Sequence, residues 1–230
     1  MTITPCEYKG ADMKDYNLGL NNILVSLAVI LATAHGAGAG TLVFTNPAPV
    51  TINDFGPASP YPATITISGL VTPILDINVV LNGFSHTFPS DVGVLLVGPG
   101  GQKVVLMDGA GGITPVSNVN LIFDDEASSG LSSSAAITSG SYKPTNFFPT
   151  DTFAPPALAA GPYASQLSVF DNKLANGTWS LFIRDFSAGD SGLFSAGFGL
   201  QVTTPEPAPL LLLGLGLVVV AACLRKRRSR

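Results

Sequence analysis

Residues 176–202 read NGTWSLFIRDFSAGDSGLFSAGFGLQV. From Thr178 to Asp185 the side chains alternate, which puts Trp179, Leu181 and Ile183 on one face of an extended chain. A period of two residues is the mark of a strand with one face in a core. Phe186 to Gly192 is a glycine-containing loop, and Phe194 to Val202 reads as a closing strand.

The same grammar recurs upstream. Thr64–Leu70 (TITISGL) alternates β-branched residues, and Leu75–Asn82 (LDINVVLN) does so before the turn-like Asn82-Gly83-Phe84. The apolar runs Val92–Val97 and Val104–Met107 flank Gly98-Pro99-Gly100-Gly101, which predicts a hairpin. No amphipathic helix of ordinary length is legible outside the termini. The expected class is all-β, a β-sandwich.

The 230 residues leave room for one domain plus processing segments. Only 11% are charged, while 25 glycines and 18 prolines favour many turns over long surface helices. Five of the eleven basic residues (Arg225, Lys226, Arg227, Arg228, Arg230) lie in the last six positions. Between residues 40 and 204 there are four basic against eleven acidic side chains. That balance excludes a nucleic-acid binder, which needs clustered Lys and Arg for phosphates. The two cysteines, Cys6 and Cys223, are both terminal, so the body has neither a disulfide nor a thiolate metal site.

Both ends read as instructions. Ile23–Thr33 is an eleven-residue apolar run followed by AHGAGAG. It is shorter than the roughly 20 residues of a membrane span and suits the core of a secretory signal, with Ala37-Gly38-Ala39 as an A-x-A cleavage site. Met13-Lys14 opens a more regular signal than MTITPCEYKGAD does, which points to Met13 as the translation start. At the other end, Leu210–Leu224 is apolar or small and precedes the basic tail 225–230. By the positive-inside rule the tail is cytoplasmic and the body is outside, in agreement with export by the Sec machinery.

Pro205-Glu206-Pro207, then a short apolar helix (209–224), then arginines at the end of the chain, resembles the PEP-CTERM sorting signal of Gram-negative bacteria. The resemblance implies exosortase as the processing partner, with Pro205, Glu206 and Pro207 as its recognition residues. A permanent single-span anchor is the rival reading. Two prolines hold the motif extended at the membrane surface, where an enzyme can reach it.

The body carries a second resemblance. Asp91 before a Pro99-Gly100 turn, then Gly177, Trp179, Asp185, Asp190 and Gly192, is similar to the P domain (P/Homo B) of proprotein convertases. It spans roughly residues 64–202 and implies a β jelly roll. Pro89-Ser90 and Phe198 depart from the family pattern. Gly177, Trp179, Asp185 and Gly192 carry over as structural positions. SYKPTNFFPTDTFAPPALAAGPYASQLSVFDNK (141–173) resembles the long loop of stand-alone bacterial versions, and its prolines predict an ordered, non-regular crossing.

The expected organisation is therefore a signal helix over 1–39, a jelly-roll β-sandwich over 40–204, and a sorting segment with a transmembrane helix over 205–230. Catalysis finds no support. His86 is the only histidine of the body, no nucleophile-elbow serine accompanies it, and the 98–103 stretch GPGGQK lacks phosphate-loop spacing. Asp91, Asp124, Asp125 and Asp190 read either as solvated turn residues or as calcium ligands, since calcium takes several oxygens and some P domains bind it. The favoured function is a non-enzymatic exported protein, structural or adhesive at the cell surface or in its matrix polysaccharide. The rivals are an accessory module for a subtilisin-like protease and a carbohydrate-binding module using Tyr142, Phe147, Phe148 and Tyr163.

Overall fold

The computed structural model describes residues 38–157 and 161–206. Along the chain the strands are β1 (Ala39–Asn46), β2 (Val50–Ile52), β3 (Gly56–Pro57), β4 (Ala63–Ile67) and β5 (Asp76–His86). Next come β6 (Val92–Val97), β7 (Lys103–Asp108), β8 (Val116–Phe123), β9 (Gly140–Tyr142) and β10 (Thr145–Asn146). The last three are β11 (Gly177–Asp185), β12 (Gly192–Phe194) and β13 (Phe198–Pro205). Short 3-10 turns lie at Pro89–Asp91 and Leu167–Phe170.

Two sheets face one another. In the first, β5 is central: β13 and then β12 pair along one edge, and β8 and β9 follow on the other. β1 lies outside β13, and β2 outside β12. The second sheet runs β10-β7-β6-β11, with β3 and β4 sharing the far edge of β11. The expected alternation in β11 holds: Trp179, Leu181 and Ile183 join Ile77, Val79 and Leu81 of β5 in the core between the sheets. Trp179 is fully buried, donates Nε1–H to the Ala175 carbonyl (2.9 Å) and meets Phe170 edge-on at 4.8 Å.

The hairpin between β6 and β7 forms as expected, closed by the Gly98 N–H donating to the Gln102 carbonyl at 2.9 Å. β6 is buried along its whole length, because the second sheet is covered on its outer face too. There Leu95, Val97, Val105 and Phe182 lie under Phe153 and Ala157 of the proline-rich crossing, with Tyr61, Tyr163 and Phe186 around them. A strand covered on both faces reads as an unbroken apolar run.

Three expectations change. Asn82-Gly83-Phe84 is no turn but the middle of the eleven-residue β5, where the register against β8 shifts between Leu81 and Phe84. The predicted closing strand 194–202 is two strands, β12 and β13, which meet the two halves of β5. The crossing carries the short strands β9 and β10. The folded chain also reaches one residue past each end of the expected 40–204 body, since β1 begins at Ala39 and β13 ends at Pro205. The signal helix and the transmembrane helix lie outside the described residues, as do Ala37 and Pro207. Among the described residues no helix is long and apolar enough to cross a membrane.

Candidate functional site

The first residue of the Pro-Glu-Pro motif is part of a sheet. β1 and β13 pair antiparallel over their full length, with Ala39 opposite Pro205, Gly40 opposite Thr204 and Thr41 opposite Thr203. The Thr41 and Thr203 hydroxyls meet at 2.9 Å on the exposed face, while Thr204 points inward and is buried. The second edge of this segment is engaged as well. Leu75 N–H donates to the Thr203 carbonyl at 2.8 Å, and the Thr72 hydroxyl donates to the Pro205 carbonyl at 3.4 Å. Glu206 is exposed.

Carboxylates gather at the same end of the first sheet. Asp76 opens β5 opposite Thr203, and Asp124 and Asp125 follow β8. Burial first, and then the negative charge of Asp124 and Asp125, raises the Asp76 carboxyl above its ordinary range; burial first and Asp76 next do the same to Asp171. Asp125 accepts the Leu167 and Ser168 N–H groups, both at 2.9 Å, and so caps a 3-10 turn. Asp124 accepts the Glu126 N–H at 2.7 Å.

At the far end of β5, roughly 30 Å away at about 3.3 Å per residue, lies a second group. His86 Nε2 faces Oδ2 of Asp185 at 3.2 Å, both side chains fully buried and neither atom in a well-formed hydrogen bond. His86 Nδ1 accepts the Phe88 N–H at 3.2 Å, which places the ring proton on Nε2 toward the carboxylate. Oδ1 of Asp185 accepts the Ser187 N–H at 2.8 Å. Burial raises the Asp185 carboxyl, against the pull of Ser187 and His86. Asp91 is raised by burial and by the neighbouring Asp185 and Asp190, while Asp190 accepts the Thr87 hydroxyl.

The four candidate calcium ligands thus fall into two pairs at opposite ends of the sheet, Asp91 with Asp190 and Asp124 with Asp125. Among the described residues no three His, Cys, Asp or Glu side chains are arranged to hold a metal ion. The candidate sugar-stacking aromatics are also dispersed. Tyr142 packs on the core with its hydroxyl donating to the Thr138 carbonyl, and Tyr163 stands edge-on to Phe153. Phe147 and Phe148 are exposed together beyond β10. The structural motif positions do interlock: Gly177 opens β11 beside Pro99, and a side chain on Gly192 would overlap the His86 ring. Two features escaped the sequence reading, the β1 clasp on β13 and the His86–Asp185 pair. Thr41 and Thr203 are 162 residues apart and His86 and Asp185 are 99 apart, and no local pattern announces either contact.

Among protein families, residues 203–228 match the PEP-CTERM protein-sorting motif. The chain carries this sorting signal. The match begins inside β13, so its first three residues belong to the folded sheet. A signal of this kind implies exosortase-dependent export. No curated protein matches the chain. Among solved structures, the crystal structure of the Aeromonas sobria serine protease and chaperone complex is similar at 14% identity and a TM-score of 0.35. That likeness covers 74% of this chain and 27% of the other. The Aeromonas sobria serine protease follows at 14% identity and a TM-score of 0.33, with 73% and 26% covered. The chain spans about a quarter of the length of these structures.

Proposed function

We propose that this is an exosortase substrate whose working part is a non-enzymatic jelly-roll β-domain, delivered to the cell surface or its matrix for a structural or adhesive role. The observation that carries the reading is the sorting motif at 203–228, joined without a spacer to the last strand of an acidic, cysteine-free sandwich. The burial of His86, with Nδ1 accepting from Phe88 and Nε2 facing Asp185, supports a structural role for the one histidine of the body. The interlocked positions Gly177, Trp179, Asp185 and Gly192 support a P-domain-like jelly roll. In this reading the basic tail 225–230 stays cytoplasmic until the cut and is lost with the apolar segment.

The test is mass spectrometry of the exported protein's C-terminus, with the exosortase gene of the host intact or deleted. The expected result is loss of RKRRSR only when the enzyme is present. Recovery of that terminus in exported protein from the intact host would sink the proposal.

A further inference from the structure

Resting on that reading, we propose that β1 clasps the sorting motif, so that processing by exosortase waits on release of the β1–β13 ladder. An enzyme that reads a peptide in extended form bonds to its backbone along the strand edges. Here both edges of the segment are already engaged: the Thr203 and Pro205 carbonyls accept from Leu75 and Thr72, and Thr204 between them lies opposite Gly40 of β1. Only Glu206, among the described motif residues, is exposed. The upstream half of the recognition segment is therefore unreadable while the sheet is closed.

The outer edge is the one that gives way. β1 is an edge strand with Leu42 and Val43 facing solvent, whereas β13 is held on its other side by the central strand β5. Strand ends at a sheet margin open locally at far lower free energy than the core unfolds.

The ladder can be locked from outside. Thr41 and Thr203 touch on the exposed face, so the pair Thr41→Cys and Thr203→Cys is placed for a disulfide in an otherwise cysteine-free domain. In the full chain expressed in its host, the oxidised double variant should lose its C-terminal segment about tenfold or more slowly than wild type. Reductant, or either single variant, should restore the rate. Thr41→Pro, which unpairs β1, should speed the cut. Hydrogen exchange on the purified full chain supplies a readout independent of the enzyme: the 198–205 segment should be protected in wild type and exchange faster in Thr41→Pro. Equal processing of the cross-linked and wild-type chains, or unchanged exchange in Thr41→Pro, would overturn the clasp while leaving the sorting role intact. A wild-type chain never cut in its host would remove the sorting reading, and the clasp with it.

Discussion

Asp108 closes β7 with its side chain almost fully buried and its Oδ1 without a hydrogen-bond partner. Burial, and then the charge of Asp151, pushes its carboxyl up from the usual 3.8 to about 7, against the pull of the Gly109 N–H. The folded chain therefore holds this proton at pH values where the unfolded chain has released it. That stabilising contribution is complete below about pH 3.8 and disappears as pH rises through about 7. Asp108→Asn keeps the shape and removes the titration. Its stability advantage over wild type should widen by on the order of 2 kcal/mol between pH 5 and pH 8, measured by urea unfolding. An advantage independent of pH would place the proton elsewhere. The His86–Asp185 pair is the contrasting case, two buried polar side chains that face one another at 3.2 Å across β5 and β11. In sequence both aspartates look alike, each ending a strand of alternating or apolar residues. Only their buried surroundings separate them.

At the scale of elements, β5 is the organising strand because it serves two partners on one edge. The exchange from β13 to β12 happens at Gly83, whose φ is +70°. A side chain there would overlap the Ser195 hydroxyl, in the turn that separates the two partners. Gly83→Ala should destabilise the domain by roughly 2–3 kcal/mol in chemical denaturation, since it adds an unfavourable backbone conformation to a clash. Adding Ser195→Ala should recover the clash and leave the backbone part, about 1 kcal/mol. Full recovery would show that φ is not the issue. Asn82-Gly83 looks like a hairpin turn to any local reading, because the same positive φ that closes a turn also makes a bulge. The β6–β7 hairpin and β11 were legible for the converse reason: their signals are complete within twenty residues. β1, β2 and β3 carry little pattern of their own and exist because an edge was there to pair with.

For the whole molecule, charge is the shared constraint. Asp76, Asp91, Asp108, Asp171 and Asp185 all have carboxyls raised chiefly by burial, in a body with four basic against eleven acidic groups. The native state thus binds more protons than the unfolded chain across the window above pH 3.8, and stability must fall as pH rises through it. Thermal unfolding should give a higher Tm at pH 5 than at pH 8, and added salt should recover part of the loss at pH 8 by screening. A Tm that rises with pH would contradict the burial assigned to these groups. The sequence by itself determined the all-β class, the alternating face of β11, the β6–β7 hairpin and the sorting signal at the end of the chain. Each of these rests on residues close enough along the chain for periodicity, turn chemistry or order to show. Only the tertiary structure decided that the candidate calcium ligands part to opposite ends, that His86 and Asp185 meet, and that Pro205 lies in a ladder with Ala39. Those contacts join residues far apart in the chain, and their partners are chosen by which sheet edges and core faces remain to be filled once the strong local elements have formed.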